Sequence, residues 1–450
     1  MSAAAGSRSA PFVTGSTMRH VVVMTLTGAV GLMALFAVDL VDLFFLSMLN
    51  QTAVTAAIGY AGTVVFTNLS VAIGSGIAAA ALVARNVGAG DMNRAREYAT
   101  SALMLSLLIS GAITLAINIG SGAFLSLLGA TGEARRLAQL FIWTMTPGYI
   151  LISGAICCSF ILRGIGDARR AMYITLSAAL VTACMDPIFI FGLGWGIQGA
   201  AAATVVGYAV SFGIGLHGVA RVHRFLNPFR LGGLKRDFPA LWAIALPAIL
   251  TQLATPFANA YMTHEIAPFG DEAVAGFAIV GRLIPVAFGI IFALAGSVGP
   301  IIGQNYGAKR HDRVRQTLND GLIFSAVYTL ATSAILFIFR HDIAEAFNAA
   351  GRTVDIVVFF CTFVGVSWAF TGAQFVAAAA FNNLGRPKLS TWFNWGKSTL
   401  GTIPFALVGA ELGGPEGILA GTAIGAAIFG IASVATAYRI VRNSAAGAVR

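Results

Sequence analysis

Charge is the scarcest property of this sequence. Lys, Arg, Asp and Glu make up 10% of its 450 residues, against about 25% in an ordinary soluble domain, and the mean hydropathy is +0.82. A water-facing skin cannot be made from Ala, Val, Ile, Leu and Phe alone, so a soluble fold is excluded. Cysteine is nearly as rare. Cys157, Cys158, Cys184 and Cys361 all lie in apolar stretches without metal-type spacing, which excludes a disulfide scaffold and leaves packing as their role. No P-loop, zinc spacing or nucleophile elbow occurs, so ATP drive, hydrolysis and a resident metal or cofactor are unsupported. The 52 Gly follow no three-residue period, which excludes collagen. The net charge of +10 is dispersed in small groups, so no nucleic acid partner is expected.

What the chain has in abundance is long apolar runs. A helix crosses the hydrocarbon in about 20 residues, and the runs divide into twelve spans near 21–49, 53–84, 97–125, 137–162, 170–192, 198–220, 238–263, 272–304, 316–339, 355–384, 389–409 and 416–438. Barrel strands would alternate every second residue, and these do not. The reading is an all-α integral membrane protein, solvated by the lipid bilayer. The first 20 residues precede an apolar run too long for a signal-peptide core and are expected to stay attached. On one side of the twelve spans lie only Arg135, Arg136, Arg340 and Arg352, and within spans only Arg282 and Lys397; every other Lys and Arg falls on the opposite side. The positive-inside rule then makes both termini cytoplasmic, in a multi-pass inner (plasma) membrane protein.

The chain also repeats itself. Asn86, Gly88, Ala89, Arg94 and Arg96 recur as Asn305, Gly307, Ala308, Arg313 and Arg315 at an offset of 219, and Gly199, Thr204 and Gly207 recur as Gly417, Thr422 and Gly425 at 218. An even number of spans per copy lets both copies enter from the same side, related by a pseudo-two-fold axis along the membrane normal. Two six-helix lobes are expected, at 1–220 and 238–450, with the polar segment 221–237 as a cytoplasmic linker. Such duplicated lobes are a route to alternating access in secondary transporters.

At this point the residues resemble the multidrug and toxic compound extrusion (MATE) transporters over nearly the whole chain. Asp39-Leu40-Val41-Asp42 before Leu43-Phe44-Phe45, Leu82-Val83-Ala84-Arg85-Asn86-Val87-Gly88-Ala89-Gly90-Asp91, Ile161-Leu162-Arg163-Gly164-Ile165-Gly166-Asp167, Met185-Asp186-Pro187 and Gly199-Ala200-Ala201 follow the family's order. The resemblance implies export of cationic or amphipathic organic compounds, driven by inward proton or sodium flow. It also implies Asp42 and Asp186 as coupling acids, with Thr204 as a neighbouring oxygen.

An ionisable side chain at membrane depth costs at least about 2.5 kcal/mol and asks for a reason. Asp39 and Asp42 share a helix face; Asp42, Asp186 and Thr204 sit at similar depths from their span ends, and Thr182 lies one turn from Asp186. Together they form a first-lobe cluster suited to binding a proton or, through hard oxygen ligands, sodium. The second lobe lacks an acid in the interiors of spans 7, 8 and 10, where Gln252 and Gln374 are the longest acceptors, and carries Arg282 and Lys397 instead. Proton coupling through the first lobe is therefore expected, in a functional monomer. Two other readings stand beside it. Cations in the cleft suit a lipid-linked precursor flippase, and Gly164-Ile165-Gly166-Asp167 with Pro239-Ala240-Leu241 matches intramembrane aspartyl proteases. The latter chemistry needs two carboxyls together in the membrane, whereas Asp167 falls among loop arginines.

Overall fold

The computed structural model describes residues 10–47, 52–127 and 129–447, with the side chains of 39, 40, 43, 44, 46, 47, 52, 53, 55, 127, 446 and 447 outside that description. A chain in hydrocarbon must satisfy its peptide groups internally, and this one does so with helices. The first lobe holds α1 (Thr17–Ser47), α2 (Thr52–Gly88), α3 (Met92–Leu127), α4 (Gly132–Ile165), α5 (Ala168–Pro187) and α6 (Gly196–Leu216). The second holds α7 (Leu231–Ile266), α8 (Asp271–Gly307), α9 (His311–Ile338), α10 (Arg340–Ala346), α11 (Arg352–Phe359), α12 (Trp368–Asn383), α13 (Pro387–Ser398) and α14 (Ile403–Gly447). Helix α7 begins at Leu231, inside the polar segment 221–237.

Among the described residues, 11 stretches are long and apolar enough to cross a membrane, and the last, Pro387–Ala445, is 59 residues long. It holds two crossings. Gly413 and Gly414 break α14 with φ of −150° and +59°, and the chain folds back. Gly417 then lies against the Gly409 carbonyl, Gly421 against that of Phe405 and Gly425 against that of Gly401. Each pair is symmetric about the reversal, as in an antiparallel hairpin whose helices meet at backbone distance. Twelve spans result. The tenth is interrupted, passing from α11 through a widened π-helical turn, Phe360–Val364, and a tight turn, Gly365–Ser367, into α12.

The lobes are built alike. Helix α2 packs on α4, α1 on α5 and α5 on α6, and their counterparts, α8 on α12, α7 on α13 and α13 on α14, repeat the scheme. Between lobes, α1 packs on α8, and α2 packs on both α7 and α8. The joint between α4 and α5 shows the work of the glycine-rich motif. Gly166 takes φ +96° and donates its N–H to the Leu162 and Arg163 carbonyls, and Asp167 caps α5 by accepting the Arg170 N–H at 3.0 Å. The second lobe places Gly385 at φ +76° in the equivalent joint.

Candidate functional site

Asp186 lies at the end of α5 and is wholly buried. The next residue, Pro187, has no N–H to give, and the chain widens into a π-helical turn, Ile188–Gly192, closed by Leu193 N–H to Ile188 O at 2.9 Å. Turns of this kind gather at functional sites. The carboxyl of Asp42, on α1, neighbours that of Asp186. Among the described residues, no donor outside the pair reaches either Asp186 oxygen or Asp42 Oδ1, all of them buried, while Asp42 as a residue is only half-buried. Bare carboxyl oxygens at membrane depth call for a proton or a cation as their missing partner. Among the described residues no group of three or more His, Cys, Asp and Glu is placed to hold a metal ion.

The other residues expected in this cluster fare differently. Asp39 lies on α1, but its side chain is outside the described residues. Thr182 is buried between α5 and α6 with its hydroxyl against Gly207. Thr204 donates to its own helix, to Ala200 O, at 2.9 Å. Neither hydroxyl bonds to Asp186, and among the described residues the carboxyl of Asp42 is its polar neighbour.

The faces by which α2 and α8 meet the other lobe are packed over part of their length and exposed over the rest. The face of α2 toward the second lobe is packed at Gly74, against Ile249 of α7, and at Gly88, against α8. The same helix is exposed at Gly62, Thr63 and Phe66, and a Cβ at Gly62 would meet open space. Helix α8 mirrors it. Gly289 abuts Met33 and Gly296 abuts Arg163, whereas Arg282, two turns before Gly289 on the same face, is exposed. Arg282 is thus exposed on the face by which α8 meets the first lobe. Lys397, on α13, and Gln252, on α7, are half-buried, and Gln374, on α12, is buried with neither end of its amide bonded among the described residues. Among the described residues, neither Arg282 nor Lys397 has a carboxylate within ion-pair distance.

At the arginine-rich end the lobes are joined by bonds that the repeat duplicates. Arg85 of α2 donates through a guanidinium N–H to Asn383 O at 2.7 Å, and Gln304 of α8 donates through its amide to Gly164 O at 2.9 Å. Shifting Arg85 and Gly164 by the repeat offset of 219 gives Gln304 and Asn383, so the two bonds are images of each other. The segment before α1 crosses the same seam. Phe12 is buried, its N–H bonds Gln304 Oε1 at 3.1 Å, and its carbonyl accepts from Asn305 at 3.1 Å and Arg313 at 2.9 Å. The Thr17 hydroxyl donates to Asp320 on α9. Arg163 completes the closure, its guanidinium lying between Gly28 of α1 and Gly296 of α8. In the sequence, Arg85, Arg163 and Gln304 pass for loop charges or span ends; their places in the repeat are the available signal.

The protease motif is accounted for by helix capping. Burial alone would raise the pKa of Asp167, but hydrogen bonds from His223 and from the Arg170 side chain and backbone outweigh it and hold the carboxyl well below the usual carboxylate range. His223 Nε2 lies 2.8 Å and an Arg170 guanidinium nitrogen 2.7 Å from Oδ2. An ionised cap in an ion pair is not a proton-sharing catalytic dyad.

Comparison with known proteins agrees with the fold. The MatE family matches residues 28–188 and 247–408, one match in each lobe. The FAD transporter of Shewanella oneidensis is 29% identical over 423 residues, 93% of each chain. The multidrug export protein MepA of Staphylococcus haemolyticus is 24% identical over 391 residues, 84% of this chain and 83% of its own. A crystal structure of a mutant of the MATE transporter VcmN of Vibrio cholerae superposes with a TM-score of 0.91 at 23% identity, covering 95% of this chain and 97% of that one. With its two matched halves and twelve spans, this chain belongs to the MatE family of membrane transporters.

Proposed function

We propose that the chain is a secondary active efflux antiporter that exports amphipathic organic compounds in exchange for protons bound by Asp42 and Asp186. The observation that carries this reading is the pair of neighbouring carboxyls whose buried oxygens, among the described residues, have no donor outside the pair. Asp42, half-buried, meets the aqueous side first and Asp186 keeps the proton from lipid and water; protonating the pair removes its hold on a cationic cargo and favours the return of the empty cleft. The second lobe, without a matching acid, supplies cleft wall. One charge moving through 100 mV supplies about 2.3 kcal/mol, enough for a useful cargo gradient with one or two protons. The arginine-rich end and both termini face the cytoplasm of a plasma-membrane monomer, with no cofactor beyond the coupling ion.

Everted vesicles given no ion gradient, a pH gradient alone or a sodium gradient alone decide the coupling. Uptake of a fluorescent cation should follow the pH gradient, survive sodium removal and collapse with a protonophore. Uptake driven by sodium at equal pH would make the same oxygens a sodium site.

A second reading of the cargo rests on Arg282, exposed on the cleft face of α8 without an acidic partner among the described residues. A cation there suits an anionic aromatic compound, and one relative is named for FAD transport. Offering FAD and the fluorescent cation to the same vesicles separates the two, and cell-envelope defects on deletion would instead favour the lipid-linked flippase.

A further inference from the structure

At the arginine-rich end, the start of α9 and the end of α14 enclose a hollow of about 450 Å³. Arg315, Arg439, Arg442 and His311 line it together with Tyr438 and Asp312. Asp312 is drawn toward Arg310, 3.7 Å away and not part of the lining, and the Tyr438 hydroxyl is committed to Asn319 at 2.5 Å. Among the described residues, Arg315, Arg439 and Arg442 make no ion pair or hydrogen bond through their side chains. Three guanidinium groups thus share one concavity with a single carboxylate, Asp312, and among the described residues none of the three is ion-paired to it.

The helices that carry them continue into apolar, exposed stripes. On α14, Ile424, Ile428, Ile431, Arg439 and Arg442 recur at helical spacing and are all exposed. On α9, Arg315 is exposed, as are Ile323 and Val327 two and three turns further along. A cationic hollow at the head of an apolar stripe complements an anionic head group with attached hydrocarbon, and such basic pockets between helices at the cytoplasmic side bind acidic lipids. A soluble anion would use the arginines but not the stripe.

We infer that this hollow binds the phosphodiester head group of an anionic phospholipid, held by Arg315, Arg439 and Arg442, with an acyl chain along the stripe between α9 and α14. The site is independent of the acid pair, though it takes the cytoplasmic placement of this end from the function proposed above. The three residues lie outside the coupling pair, the interlobe cleft and the seam bonds.

The test is lipid retention, read by native mass spectrometry of the full-length protein moved from membranes into detergent and titrated with phosphatidylglycerol or phosphatidylcholine. The wild type should keep phosphatidylglycerol preferentially. Each Arg→Gln change should weaken it about fivefold, and the triple variant Arg315→Gln, Arg439→Gln, Arg442→Gln on the order of a hundredfold. Arg→Lys at all three, which keeps the charge, should retain most of the preference and serves if the glutamine variant does not fold. Equal retention of both lipids by the wild type, or unchanged preference in a folded triple variant, would overturn the site. Inorganic phosphate displacing phosphatidylglycerol completely at millimolar concentration would also overturn it, in favour of a soluble anion. Coupled uptake in vesicles is measured separately, so a failure of the transport reading leaves this result legible.

Discussion

Gly88 in α2 and Gly307 in α8 face one another reciprocally across the lobe seam: Gly88 lies against the carbonyl oxygen of Gln304, and Gly307 against that of Arg85. The four positions are two repeat-related pairs, so the contact obeys the same two-fold as the lobes. A Cβ on either glycine would fall on the opposing oxygen.

Gly88→Val should therefore hold this end apart. Overpacking costs about 1–3 kcal/mol, and the ratio of closed to open molecules should fall roughly 5- to 150-fold. Spin labels at exposed positions 91 and 312 report it as a longer distance by double electron–electron resonance. An unchanged distance distribution would show that the seam is not a moving closure.

Arg85→Ala and Gln304→Ala should each shift the same distance in the same direction, since each removes one of the paired bonds to a main-chain carbonyl. A charged hydrogen bond is worth about 1.5–3 kcal/mol and a neutral one about 0.5–1.5 kcal/mol; since Gln304 also accepts the Phe12 N–H, the two changes should be of similar size. Equal effects from Arg169→Ala, an exposed cation in the first turn of α5, would point to general charge instead.

Asp42→Asn and Asp186→Asn should abolish proton-coupled efflux with expression retained, because an amide cannot cycle a proton. Asp91→Asn should transport normally. Asp91 accepts the Arg94 N–H at 2.9 Å as a helix cap, and asparagine caps as well as aspartate. Wild-type efflux in both acid-pair variants would remove the first lobe from coupling.

Asp167 makes a prediction about pH. Its carboxyl is held below the usual range in the folded protein, so its stabilisation is complete above the unfolded pKa of about 3.9 and is lost as pH falls through the folded value. Asp167→Ala, which also loses the cap at about 1 kcal/mol, should melt below wild type at neutral pH, with the gap narrowing only under strongly acidic conditions. A gap that closes between about pH 8 and 6, where an ordinary histidine titrates, would mean that another group carries the effect.

The acid pair is legible in the sequence because charge inside an apolar run is costly enough to stand out. The same reading does not reach the neighbour of the Thr182 hydroxyl, for an equally physical reason. One-turn spacing puts it on the Asp186 side of α5, but only the facing helix reveals that Gly207 leaves room for its hydroxyl. The last two spans can be told apart because Gly413-Gly414 interrupts the final apolar stretch. The seam stays hidden, since Arg85 and Arg163 satisfy the orientation rule as ordinary basic residues, and the sequence does not say how far a long guanidinium reaches between two glycines.

The hairpin of α14 bears on how the chain is made. Its two arms hide the Gly401, Phe405 and Gly409 carbonyls behind Gly425, Gly421 and Gly417, residues that leave the ribosome late. Until the final arm is released, the eleventh span presents to lipid a groove meant for another backbone. Its integration is thus expected to wait for the twelfth, and nascent chains truncated near Gly414 should be recognised by membrane proteases as unfinished.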